Sequence, residues 1–285
     1  MLLSSPGAAA QSPDAYRQEI ESFRARREAE LRAEDGWLAL AGLHWLKDGE
    51  SRIGSAPGND LQLPKSAPAH LGVIEQTEGK VRLRLALGAT ASIGGKPIDA
   101  PRELLAGAKP DIVELGAVSF LLIQRDKRNA IRVRDTNSDV RRDFKGLDWF
   151  PIDPAARVVA RFTPHAEPRR TAIPNVIGYV SQMKSPGIVS FRIGDRELTL
   201  EPVFETAEEN ELFFIFKDQT AGKDTYGAGR FLYAAPAQDG TVVLDFNKAY
   251  SPPCAFTPFA TCPLPPDRNR LDVAIEAGER FRGSH

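Results

Sequence analysis

The chain has 285 residues, with 37 Lys+Arg against 38 Asp+Glu and a formal net charge of −1. At 42% hydrophobic and 26% charged residues, the composition excludes disorder over most of the length and a charge-driven binder of polyanions. The length suits one large or two medium domains with a core of ordinary size.

The opening residues Met1–Gln11 are too short and broken for a complete signal peptide, yet Ala8-Ala9-Ala10 is in the style of a cleavage site. Two readings stand: the tail of a signal peptide on an exported protein, or a flexible leader on a cytoplasmic one. No stretch of about 18 apolar residues exists, so no membrane span is expected. Ser12-Pro13-Asp14 reads as a helix start, and Tyr16, Ile20, Phe23 and Leu31 recur at helical spacing. The charges between them (Arg24, Arg26, Arg27, Glu28, Glu30, Arg32) read as a solvated face. Gly36 ends the helix. The apolar run Trp37–Leu46 reads as the segment that packs the helix onto the next domain, with His44 a partly buried core histidine.

From Ser51 the pattern changes to short β-like runs between Gly, Pro, Asn and Asp. Strands are predicted at Ser51–Gly54, Asp60–Leu63, Gly72–Gln76, Lys80–Leu85, Ala91–Ile93 and Val118–Arg125. More come at Ala130–Asp135, Arg157–Phe162, Ile188–Ile193, Arg196–Leu200, Glu211–Phe216, Arg230–Ala234 and Thr241–Asp245. Val81-Arg82-Leu83-Arg84-Leu85 alternates as a sheet with one wet face does. Beyond Ser251 the chain is Pro-rich and irregular, with a short helix predicted near Leu271–Ala277. His165 reads as part of an exposed loop.

Residues Arg52–Ile98 resemble a forkhead-associated domain, through Ile53-Gly54, Asn59-Asp60-Leu61-Gln62-Leu63, His70 before Gly72-Val73-Ile74, and Ile93-Gly94-Gly95-Lys96. The resemblance implies a β-sandwich. Its phosphate-gripping Arg falls on Ser55, its Ser and Arg before the His on Ala67 and Pro68, and the Asn of its Asn-Gly pair on Gly94. Those changes remove the donors a phosphate needs, so the fold is expected without phosphothreonine recognition. His70 is expected to hydrogen-bond within its loop.

Interleaved charges at Arg125–Asp143 read as a solvated strand face, so nucleic acid is not an expected partner. Gly222–Gly229 lacks the Lys-Ser/Thr of a phosphate loop, and neither a metalloprotease nor a nucleophile-elbow motif occurs. Cys254 and Cys262 are too few for a disulfide scaffold and have the wrong spacing for zinc. They are read as either one short-loop disulfide or two free thiols. No metal and no cofactor is expected.

The segment from Asp218 to Glu279 is the most unusual. With Gly229-Arg230-Phe231-Leu232, Leu244-Asp245-Phe246-Asn247 and Ser251-Pro252-Pro253-Cys254-Ala255-Phe256-Thr257-Pro258, it resembles the C-terminal signature of the bacterial and archaeal family catalogued as domain of unknown function 1684. The Trp37–Leu46 run and Asp148-Trp149-Phe150-Pro151 fit that resemblance, which departs at Ser251, where the family usually has Asn. It implies no activity and no site residues. Read physically, Arg230 and Asp245 open and close strands that could be neighbours, and Asp245 and Asn247, two apart, point to one face. Tyr250 and Cys254 come next, in a proline-stiffened loop. Arg230, Asp245, Asn247, Tyr250 and Cys254 are therefore the candidate ligand-binding residues. Two outcomes are open: they line a pocket for a small polar molecule, with or without catalysis, or they knit the tail to the sheet while the sandwich serves protein interaction.

The expected architecture is mainly β: a leader (1–12), an N-terminal amphipathic helix and aromatic linker (13–50), a forkhead-associated-like β-sandwich (51–125), and a second β-rich domain closed by a Pro-rich C-terminal segment (126–282). Oligomeric state is left open.

Overall fold

In this computed structural model, which describes residues 12–283 apart from 126, 206, 207, 209 and 282, helix α1 runs from Pro13 to Arg32. The Ser12 hydroxyl accepts the Ala15 amide at 3.2 Å, and Pro13 stands where a helical amide needs no partner. The leader Met1–Gln11 lies outside the described residues. Helix α1 buries Tyr16, Ile20, Arg27 and Leu31, which share one face. Arg27 thus departs from the solvated face expected of it. No helix among the described residues is long and apolar enough to cross a membrane.

The fold is mainly β. A 3-10 turn at Trp37–Ala39 leads into β1 (Leu40–Trp45), so most of the aromatic run is a strand. Then come β2 (Gly49–Gly54), β3 (Leu61–Gln62), β4 (Gly72–Thr77), β5 (Lys80–Leu85), β6 (Ser92–Ile93), β7 (Lys96–Pro97), β8 (Arg102–Glu103), β9 (Ile112–Leu115), β10 (Val118–Arg125) and β11 (Arg128–Asp135). They form two sheets, ordered β3-β2-β4-β5-β8 and β1-β11-β10-β9-β6-β7. Between them lie Ile53, Ile74, Val81, Leu83, Val113, Val118, Phe120, Ile131 and Val133. Val81 and Leu83 point inward while Lys80, Arg82 and Arg84 stay wet, as the alternation predicts.

His44 is partly buried, with Nε2 2.9 Å from the Gln62 carbonyl oxygen, and burial pulls its pKa down. His70 does not bond within its loop as expected. It is exposed, and the loop is tied instead by Ser55 to the Ala67 carbonyl and by Asn59 to the carbonyls of Ala56 and Ala69.

Next come α2 (Asp139–Asp143), β12 (Asp148–Trp149), β13 (Arg157–Pro174), β14 (Val180–Ile193), β15 (Arg196–Leu200), β16 (Leu212–Phe216), β17 (Arg230–Ala234), β18 (Thr241–Asp245) and β19 (Glu279–Arg280). A sheet ordered β15-β14-β13-β18 and the pair β16-β17 enclose Val189, Phe191, Leu200, Phe214, Phe216, Leu232, Leu244 and Phe246. The Phe246 ring lies 5.6 Å from both Phe191 and Phe216. Strands β13 and β14 are longer than predicted. A register jump between Pro164 and Arg169 lets the strand pass its prolines, which cannot donate to a ladder. His165 is consequently in a strand and not a loop, with Nε2 3.1 Å from Ser185 Oγ and 3.3 Å from Glu201 Oε1.

No helix forms at Leu271–Ala277. The carbonyls of Ile275 and Ala277 accept from the Arg230 guanidinium, and the Ile275 amide donates to Asp218 at 3.2 Å. Those groups are then committed away from a helical ladder. At Gly278 the chain takes φ +85°, where a Cβ would sit 2.4 Å from the Ala249 carbonyl oxygen. The turn lets the Glu279 amide donate to that carbonyl at 2.8 Å.

Gly278→Ala is expected to cost about 2–3 kcal/mol, because strain and collision coincide. Gly240→Ala, at φ +73° in open space, is expected to cost about 1 kcal/mol. Urea midpoints at unchanged m-value measure both.

Candidate functional site

Strand β18 ends at Asp245, whose side chain caps the 3-10 turn Phe246–Lys248 by accepting the Asn247 amide at 3.2 Å. The turn breaks the two-residue repeat expected to align Asp245 with Asn247. Their side chains still meet, Asn247 Nδ2 lying 3.2 Å from Asp245 Oδ1. The Tyr16 phenol of α1 donates to Asp245 Oδ1 at 3.0 Å and accepts from Asn247 Nδ2 at 2.9 Å. Asn247 also bonds both the amide and the carbonyl of Asp153, at 2.9 and 2.7 Å. Burial first, and the Asp245 charge next, push the Tyr16 pKa far up, so the phenol remains a donor.

Arg230 is elsewhere. It is 1% exposed, and its Nη2 meets Asp218 Oδ2 at 2.6 Å and the Ile275 carbonyl at 2.9 Å, while Nη1 bonds the Ala277 carbonyl. Its guanidinium lies 5.2 Å from the centre of the Phe216 ring. Its partner is Asp218, not Asp245.

Tyr250 pairs with Phe231 through reciprocal backbone bonds of 2.8 and 3.0 Å. Its ring lies parallel to Tyr233 at 6.4 Å, and the Arg27 guanidinium stands 4.4 Å over it. Burial lifts the Tyr250 phenol to about 12, against the pull of Arg27. Behind it, Arg27 Nη2 donates to the Ser251 carbonyl at 3.0 Å, and Nε is 3.8 Å from Glu279 Oε2. Glu279 is 1% exposed and neither carboxylate oxygen has a hydrogen-bond partner. Burial raises its pKa to about 7, Arg27 opposing. Cys254 sits apart, beside Cys262, and both are free thiols.

The five sequence candidates therefore divide among separate arrangements. Asp245 and Tyr250 share a cleft of about 480 Å³ between α1 and the β17–β18 region. Its walls include Glu19 and Phe23 of α1, Arg157, Glu211, Tyr233 and Lys248. Arg230, Asn247 and Cys254 are not among its lining residues. Arg157 projects into it with 44% of its side chain exposed, its Nε 3.9 Å from Asp245 Oδ2. Lys248 pairs with Glu19 across it. Sequence reasoning missed Arg157, Lys248, Glu211 and Tyr233, which carry no motif. It placed Tyr16 on the inward face of α1 with Ile20 and Leu31, but missed Arg27, which it put on the solvated face. Among the described residues, no group of three or more His, Cys, Asp or Glu is placed to hold a metal ion.

Residues 142–280 match the family model described as protein of unknown function, DUF1684. All five candidates, with Asp218, Arg157 and Glu279, fall within the matched span, while Tyr16 and Arg27 fall outside it. The solution structure of an uncharacterized protein of Haloarcula marismortui is 35% identical, covering 49% of this chain and 78% of that one, with a TM-score of 0.42. A structure described in terms of phosphothreonine-dependent interactions of a forkhead-associated domain is 18% identical. It covers 32% of this chain and 92% of its own, with a TM-score of 0.23. No curated protein matches the chain.

Asp218→Asn is expected to cost about 3–5 kcal/mol, since it leaves a buried guanidinium without its counter-charge. Chemical denaturation reads the loss. For Glu279 the folded pKa of about 7 lies above the ordinary 4.5, so the folded state holds the extra proton between these values. Its destabilising contribution is absent below about pH 4.5 and grows as pH rises to about 7. Glu279→Gln is expected to flatten that fall, as measured by urea midpoints at pH 5 and pH 8.

Proposed function

We propose that the protein binds a small polar ligand carrying an anionic group, in the cleft between α1 and the β17–β18 region. The observation that carries this reading is the half-exposed guanidinium of Arg157, held beside Asp245 on the wall of a concavity of about 480 Å³. That volume suits a small molecule. Asp245 is engaged by Tyr16, and Lys248 by Glu19. Arg157, by contrast, meets Asp245 only at 3.9 Å and lies 5.9 Å over the Tyr16 ring, with no side-chain hydrogen bond among the described residues, so its fork of donors can turn to an incoming carboxylate or phosphate. Tyr233, whose hydroxyl is held by Glu205, also lines the cleft, and Phe23, Val243 and Pro236 supply apolar surface. In this reading the ligand site belongs to the β-rich part that follows β11, with α1 as its outer wall. The sandwich of β1 to β11 serves without phosphothreonine recognition.

Thermal-shift screening of organic acids, amino acids and sugar phosphates, followed by calorimetry, tests the proposal. A ligand at about 100 times its Kd is expected to add about 2.7 kcal/mol of stability. Arg157→Ala, at an exposed position, is expected to stay folded and lose that gain. A panel that leaves the melting temperature unchanged, or a ligand indifferent to Arg157→Ala, would refute the assignment.

A further inference from the structure

A different chemistry lies in the Pro-rich tail, at two residues that do not line the cleft. The 3-10 turn Pro253–Ala255 and the bridge of Pro263 to Asn175 hold two cysteines against each other. The Cys254 amide points at Cys262 Sγ at 3.1 Å, and the Cys262 amide at Cys254 Sγ at 3.4 Å. Each sulfur thus receives a backbone N–H from its neighbour, which favours the charged form of a thiol over the neutral one.

Arg132 of β11 packs over Trp37, a ring that shares one hydrophobic cluster with both cysteines. Arg132 is buried, its guanidinium lies 5.4 Å over that ring, and its Nε has no hydrogen-bond partner. Burial pulls its pKa down to about 10. Arg125 and Arg134 act on it in the same direction, whereas charge on Cys262 and Cys254 acts in the opposite one. A guanidinium held in the interior among like charges is costly, and an adjacent anion offsets the cost. The sulfurs are the groups placed to be that anion. Tyr226 also lies against the pair: its phenol donates to the Cys254 carbonyl at 3.0 Å and is kept neutral by burial, and Tyr233 and Tyr250, also kept neutral by burial, pack on the same cluster.

We infer that Cys254 and Cys262 form a dithiol site that exchanges with low-molecular-weight disulfides, Cys254 attacking and Cys262 resolving. Exposure assigns the roles: Cys254 is half-buried, whereas Cys262 is 5% exposed. The proton assignment agrees. The hydrogen bond from the Cys262 thiol, helped by Arg132, draws the Cys254 pKa down, and Cys262 is pushed up and keeps its proton.

The step balances. The Cys254 thiolate attacks one sulfur of a disulfide RSSR, a Cys254–S–S–R bond forms, and RS⁻ leaves. The Cys262 proton passes to that RS⁻, giving RSH. The Cys262 thiolate then attacks Cys254 Sγ and expels the second RS⁻. The protein is oxidised by two electrons to an internal disulfide, and RSSR is reduced to RSH and RS⁻. The amide-to-sulfur contacts of 3.1 and 3.4 Å keep the resolving sulfur beside the attacking one.

Glutathione disulfide is the probe. The reduced full-length protein is incubated with it across a series of glutathione redox buffers, quenched by alkylation and mapped by mass spectrometry. The expected product is a loss of two hydrogens located to a Cys254–Cys262 bond. Cys262→Ser is expected to accumulate a glutathione mixed disulfide at Cys254, and Cys254→Ser to leave Cys262 unreactive. Arg132→Met is expected to slow alkylation of Cys254 at pH 7 roughly tenfold, as for a thiol pKa raised by one unit. Circular dichroism checks that the variants fold, and the wild-type map decides alone if they do not. Two free thiols after incubation, first modification at Cys262, or a stable glutathione adduct with no internal bond would each overturn the inference.

Discussion

The ion pair between Arg230 and Asp218 is the constraint on which the C-terminal architecture rests. Both side chains are essentially out of water, where an unpartnered charge is costly. The guanidinium is satisfied by one carboxylate and by the carbonyls of Ile275 and Ala277. Those contacts draw the last stretch of chain across β16 and β17 and hold it extended. A tail with little ladder pairing of its own must have its backbone groups met by side chains. Asn269 does the same work upstream, bonding the Glu201 amide and carbonyl and the Ile215 carbonyl. Specific polar side chains here replace the regular hydrogen bonding of a sheet.

Helix α1 is fastened by the same means. It is amphipathic, but its inward face carries a phenol and a guanidinium beside Ile20 and Leu31. Tyr16 completes the Asp245–Asn247 corner, and Arg27 covers Tyr250 and faces Glu279. The helix thereby becomes a wall of the cleft, presenting Glu19 and Phe23. The cleft is thus composite, built partly from residues 142–280 and partly from α1, which lies outside that span.

The sandwich contributes more than a separate core. Strand β11 joins its six-stranded sheet and also sets Arg132 over Trp37, which packs in one hydrophobic cluster with the two thiols of the tail. Trp37 packs both with that hydrophobic cluster and with the one beneath α1. The halves of the chain are therefore linked through a buried cation and an aromatic ring as well as through sequence.

Local pattern determined most of the strands in this sequence, the Ser12–Pro13 helix start and the wet and dry faces of β5, because these depend on side chains a few residues apart. It also marked Asp245 and Tyr250, the two candidates that share the cleft. Tertiary structure alone decided that Arg230 pairs with Asp218, that Arg27 turns inward and Tyr16 bonds Asp245, that Arg157 stands over the cleft, and that Leu271–Ala277 is extended. Each of those outcomes turns on desolvated charge and on backbone groups needing partners. Such needs are met by whichever residue the fold brings near, across separations such as the 229 positions between Tyr16 and Asp245, and periodicity carries no record of them.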